Sequence, residues 1–220
     1  MKKFLHCFFL VFLCAAVAEM VPAHKPIVPL EPADLIKLLP ATPQGWELKE
    51  SKGKSFYNEW LVSQASRQLL QLPQQDSNGA RPTPPAMTRL QITDTGYNPA
   101  LFGDFDQFKP GKYGNTESLS FGSFPARRMM FSGGERLRIL VKARFVVEIE
   151  TGNQVPNATM MWAKLFDFSR LNSIPDNGIE TLSNPVTVVS IDEMNPKANS
   201  SYQVSWSTQE DLDAARKRKP

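Results

Sequence analysis

The sequence predicts an α+β fold: an antiparallel sheet of about five to seven strands packed against helices, followed by a C-terminal extension. Three observations predict it. Residues 118–121, 126–131, 136–141 and 145–151 read as consecutive short strands with turn signals between them. One register of the last two satisfies every cross-strand pair at once. A tight turn centred on Ala143 sets Val141 opposite Phe145, Ile139 opposite Val147 and Leu137 opposite Ile149 on one side, with Arg138 opposite Glu148 and Arg136 opposite Glu150 on the other. Finally, Met160, Met161, Trp162, Leu165, Phe166, Phe168 and Leu171 form a wide apolar stripe in residues 156–171, a helix able to cover such a sheet.

The elements follow in order. Lys2 and Lys3, the apolar run 4–13 and Ala16-Val17-Ala18 have the three parts of a cleavable export signal, residues 1–18. The run is too short to be a stable membrane anchor. Residues 19–30 contain Pro22, Pro26 and Pro29 and read as a flexible leader. The α+β domain spans residues 31–174. Glu31-Pro32 opens a short helix with Leu35, Ile36, Leu38 and Leu39 as its apolar face, and Pro40 ends it.

Pro43-Gln44-Gly45 is a turn before a strand at 46–50, and the glycine-containing stretch 51–55 reads as another turn. Residues 56–72 favour strand, although their glutamine- and leucine-rich second half also permits helix. The stretch 73–86 holds four prolines and reads as a long exposed loop, leading to a strand at 87–95. Asn98-Pro99 starts a helix carrying Leu101, Phe102, Phe105 and Phe108.

Gly133-Gly134 marks a hairpin. A three-residue loop there would bury Phe131 and Met129, and is the preferred register; Arg144 is an imperfection in the following turn, where glycine is favoured. The C-terminal extension, 175–220, holds strands at 186–191 and 202–206. A capping box, Ser207 with Glu210, begins a last helix. It ends in the basic tail Arg216, Lys217, Arg218 and Lys219, a candidate contact with an anionic membrane surface.

Composition narrows the chemistry. Cys7 and Cys14 both lie in the signal, so the mature chain offers no disulfide, thiolate nucleophile or cysteine metal ligand. His6 leaves with it, and no histidine follows His24, which removes the usual general base and the commonest transition-metal ligand. No cofactor or metal site is expected. Without the signal the chain has 23 basic and 22 acidic residues, too balanced for a nucleic-acid-binding field.

Candidate motifs are few. Ser51-Lys52-Gly53-Lys54 has serine–lysine spacing, but in a turn rather than at a helix start. Asp104 and Asp106 point to different faces of their helix. Glu148 and Glu150 share one side of a strand and could act as a hydrolytic carboxylate pair, except that the register gives each an arginine. Asn157-Ala158-Thr159 and Asn199-Ser200-Ser201 are glycosylation sequons. Trp46, Tyr57 and Trp60 are candidate stacking surfaces for a ligand or partner.

Leu38-Leu39-Pro40-Ala41-Thr42-Pro43-Gln44-Gly45-Trp46 resembles the start of small exported bacterial proteins with a PsbP-like α+β domain. Phe124-Pro125-Ala126-Arg127, a strand, Arg144-Phe145-Val146-Val147-Glu148-Ile149-Glu150 and a closing helix resemble its second half. The resemblance covers residues 33–172 and implies a binding or assembly role with no catalytic residues. The proline-rich loop and residues 185–220 depart from the pattern.

The expectation is therefore an exported, non-catalytic protein of the cell envelope, periplasmic or extracellular, that assists assembly or binding through a partner protein. A small-ligand or glycan-binding module and a carboxylate-dependent hydrolase are the alternatives.

Overall fold

The computed structural model describes residues 27–58, 60–71, 84–98, 101, 105, 115–176 and 186–204. The expected export signal, the proline-rich stretch 72–83, Asp104, Asp106, the expected last helix and the basic tail lie outside them.

The architecture corrects the predicted fold class. Nine strands form one antiparallel sheet, in place of five to seven, and the helices are few and short. The strands are β1 (Glu47–Asn58), β2 (Trp60–Gln71), β3 (Ala86–Asp94), β4 (Asn115–Phe121), β5 (Phe124–Phe131), β6 (Gly134–Val141), β7 (Phe145–Gly152), β8 (Val186–Asp192) and β9 (Ser200–Val204). Their spatial order is β4-β5-β6-β7-β3-β2-β1-β8-β9. The two strands assigned to an extension join this sheet: β8 pairs with β1, and β9 pairs with β8 at the edge.

The predicted turn at 51–55 is instead the middle of β1. Ser51, Gly53 and Ser55 face inward in alternation with Lys52 and Lys54. Gly53 is there for close approach. A Cβ on it would lie 2.9 Å from Cβ of Pro32 in α1 (Pro32–Ile36), so only glycine lets this helix rest on the strand. The second half of 56–72 is strand, which removes the helical alternative.

One face of the sheet holds the core. Ala65, Leu69, Leu90, Ile92, Leu137, Ile139, Val147 and Ile149 are fully buried there, beneath Leu35, Ile36, Trp162, Phe166 and Leu171. The long helix expected at 156–171 is two short ones, α2 (Ala158–Ala163) and α3 (Phe168–Ser173). Phe166 and Phe168 are both buried, and residues two apart in a continuous helix cannot share a face. Asp167 restarts the helix by accepting the backbone N–H of Arg170 at 2.8 Å.

The β6–β7 register is the one expected, residue for residue. Arg136 meets Glu150 at 2.7 Å, and Arg138 is hydrogen-bonded to Glu148. The left-handed conformations in the turn fall on Lys142 and Ala143 (φ 55° and 49°), which frees Arg144 for another task. The β5–β6 register is not the preferred one. Phe131 pairs with Gly134 around a two-residue turn, so Arg128, not Met129, faces inward beside Leu137. Arg128 bonds Glu135 at 2.7 Å. Glu135 also accepts from the backbone N–H of Asn157 and the hydroxyl of Thr159. A largely buried ion pair, with Nε of Arg128 left without a partner among the described residues, stands where the sequence reading placed two apolar side chains. Of the helix expected after Asn98, Leu101 and Phe105 are described; both are helical, and Phe105 is buried.

Candidate functional site

β3 and β7 run side by side, and their two ends differ in chemistry. At one end Arg144, Asp94 and Asp176 form an ionic node, with Asp176 on its solvent side. Nε and Nη2 of Arg144 donate to the two carboxylate oxygens of Asp94 at 2.9 and 2.7 Å, and both side chains are buried. Asp94 also accepts from the backbone N–H groups of Leu30 and Gly96, which fastens the leader to the sheet. Nη1 of Arg144 donates to the carbonyl of Pro175 and to Asp176. Asp176 in turn accepts from Tyr97 and Lys142.

Burial opposes the charge on Arg144, but its bonds to Asp94 prevail and raise its pKa. Burial and the bond to Asp176 push the Tyr97 phenol up to about 12. Burial would raise Asp176, yet Lys142 and Tyr97 hold it below the usual carboxylate range. The donors and acceptors of this end are engaged within the protein.

The other end is open. A cavity of about 490 Å³ lies where the end of β2, the start of β3 and α2 meet the turn before β1. Trp46 enters it from the Pro43-Gln44-Gly45 turn, in which Gly45 has φ 83°. Its indole meets that of Trp162 edge to face, with centroids 4.9 Å apart and planes at 85°. Nε1 of Trp162 donates to Oε1 of Gln154 at 3.0 Å. Nε2 of Gln154 donates to the carbonyl of Met87 and the hydroxyl of Thr88 at 2.5 and 2.7 Å. The Gln154 amide is thus occupied by its neighbours, and Gln71 and Asn153 are the other polar side chains among the described residues of a mainly apolar wall.

Val155, Met161 and Leu165 ring the mouth at 65, 61 and 50% exposure. They are three of the six strongly exposed large apolar side chains among the described residues, so the exposure is concentrated rather than scattered. Among the described residues no Asp, Glu, Lys, Arg or His lines the cavity. Its chemistry is that of holding a neutral apolar group between indole, thioether and aliphatic surfaces.

Comparison with known proteins finds no matching family, no similar curated protein and no solved structure of matching fold.

Of the sequence candidates, Trp46 lies in this site. Tyr57 sits at the far end of β1, half-buried, roughly 35 Å along the strand at the usual rise per residue. Trp60 opens β2, with its side chain outside the described residues. The structure therefore does not bring the three aromatics together. Ser51 and Lys54 project to opposite faces of β1. Ser51 is buried and donates to Glu193 at 2.5 Å. Glu148 and Glu150 are held by Arg138 and Arg136.

In the first sequon Thr159 is buried against Glu135; in the second, Asn199 accepts the backbone N–H of Asp192. Among the described residues no group of three or more His, Cys, Asp and Glu could hold a metal ion. Sequence reasoning missed Trp162, Gln154 and the Met161–Leu165 rim as parts of a site. The available signal was the width of the apolar stripe. A stripe carrying both Met161 and Trp162 is too broad for one buried face.

Proposed function

We propose that this chain is an exported, non-catalytic binding protein of the cell envelope whose recognition site is the uncharged cavity between Trp46 and Trp162. One observation carries the reading: a recess of about 490 Å³ with exposed apolar side chains at its mouth and no ionisable group among the described residues of its wall. That volume is in the range for small-molecule sites, about 300–1,000 Å³. A recess, rather than a flat apolar face, favours a small neutral ligand, with rings or a short alkyl chain, over a broad assembly surface. The arginine partners of Glu148 and Glu150 weigh against a hydrolytic carboxylate pair. Export is supported by the basic start, the apolar run and Ala16-Val17-Ala18.

The test is a titration of the purified protein with the neutral fluorophore N-phenyl-1-naphthylamine, read by energy transfer from tryptophan. The reading predicts saturable binding that Met161→Asp weakens at least tenfold, about 1.4 kcal/mol. Because Met161 is 61% exposed, that variant should keep its thermal melt. Absence of saturable binding, or equal affinity in the variant, would overturn the reading.

A further inference from the structure

The face of the sheet opposite the helices carries a different kind of recess. Alternation along the strands places Lys52 and Lys54 of β1, Gln64 and Ser66 of β2, Arg89 of β3 and Ser190 of β8 on that side. These six residues, with Glu50 and Gly53, line a cavity of about 150 Å³. It has room for one small polar group and not for a fused-ring ligand.

The charges around it do not cancel. Lys52 is bonded to Glu50 at 2.9 Å and lies 4.0 Å from Asp192. On the same face Glu150 is taken by Arg136, and Glu148 by Arg138 and Arg136. Each of these carboxylates on β1, β7 and β8 thus has a cation within 4.0 Å, with Glu50 and Asp192 sharing Lys52. Lys54 and Arg89 have no carboxylate partner among the described residues. Lys54 lies over the Phe56 ring at 5.4 Å, and Arg89 makes no hydrogen bond or ion pair among the described residues.

Two cations without counter-ions, on strands separated by β2, therefore line one recess between hydroxyl groups. Gln64 is braced there by its bond to Thr93 at 3.2 Å. An ammonium and a guanidinium beside hydroxyl donors are the donor set that oxygen anions select, and the planar guanidinium fork matches two oxygens of one group.

We propose that this recess binds an oxyanion, the phosphate, sulfate or carboxylate of a small ligand or of a lipid headgroup, with Lys54 and Arg89 as its charge-bearing ligands and Ser66 and Ser190 as hydroxyl donors. The site is independent of the apolar cavity, which lies at the end of the sheet and shares no residue with it.

The experiment titrates the purified protein with inorganic phosphate, sulfate and acetate, following amide chemical shifts. The wild type should show saturable shifts at Lys54, Ser66 and Arg89, weakening as sodium chloride is added. Lys54→Gln with Arg89→Gln should lower the affinity at least tenfold. Lys164→Gln with Lys197→Gln, at exposed positions elsewhere, should leave it unchanged. Thermal melts of both double variants should match the wild type, separating lost binding from lost folding.

Sedimentation with phosphatidylglycerol vesicles but not with phosphatidylcholine vesicles would support the proposal with a lipid headgroup as the source. Saturable phosphate or sulfate binding without sedimentation would support it with a soluble ligand. No saturable shift and no sedimentation would overturn it, as would equal affinity in the Lys54→Gln, Arg89→Gln protein.

Discussion

The two ends of the β3–β7 pair are built from opposite materials. At the Asp94–Phe145 end, a buried guanidinium, carboxylate and phenol and a more exposed carboxylate and ammonium are matched donor to acceptor. At the Met87–Gly152 end, two indoles, a thioether and aliphatic side chains surround a recess with no charge among the described residues of its wall. The contrast teaches where stability and recognition reside. The ionic end has little left with which to bind anything, and it ties the leader, the β6–β7 turn and residues 174–176 into one node. The apolar end leaves large side chains in water, an arrangement that is unfavourable until something covers them.

Breaking the ionic end should have the largest effect. Asp94→Ala leaves the Arg144 cation buried with only the more exposed Asp176 as counter-ion, and should lower stability in urea by roughly 3–5 kcal/mol. Replacing both partners by apolar residues, Arg144→Met with Asp94→Leu, should recover part of that loss. A loss under about 1 kcal/mol in the single variant would put this end in the same class as a surface ion pair.

Acid should act next, through the carboxylates held low. Burial would raise Glu135, but the backbone N–H of Asn157, Arg128 and Thr159 together hold it below its ordinary range, and Asp176 is also held low. The unfolded chain therefore takes up protons first as the pH falls. The stability these groups contribute is complete above their ordinary values, about 4, and is lost as the pH drops through their folded values. Urea midpoints measured from neutral pH downward should decline below about pH 4.5, and Glu135→Gln should flatten the decline. An identical slope in that variant would remove Glu135 from the account.

The apolar end should be the least sensitive. Leu165→Ser on its half-exposed rim should change stability by about 0.5 kcal/mol or less, while weakening binding of the neutral fluorophore. A large loss of stability there would show that the rim supports the fold and is not a free mouth.

The legible parts of the fold were those encoded by neighbours. The β6–β7 register could be read because apolar and opposite-charge pairs agreed within one hairpin. The β5–β6 register could not, because the partners that make an inward Arg128 tolerable include Asn157 and Thr159, more than twenty residues beyond Glu135. Gly53 looked like a turn because its reason for being glycine is Pro32, brought near only by the fold. Arg144 looked like a flaw in a turn because Asp94 is fifty residues away in the chain. The strand count fell short because β8 docks on β1, a pairing that no local pattern announces. Half of the candidate site was legible in the same sense. Trp46 stood out as an aromatic after a turn, whereas Trp162 and Gln154 belong to the site only once the ends of β2, β3 and α2 converge.

The most direct test of recognition at the uncharged end is a methyl and indole NMR titration with a neutral aromatic probe. The account predicts that the Met161 methyl and the indole N–H signals of Trp46 and Trp162 shift together and saturate at one affinity, while the Tyr97 and Arg144 signals stay in place. Shifts confined to residues outside the cavity, or no shift at Met161 and Trp162 at saturating probe, would contradict it.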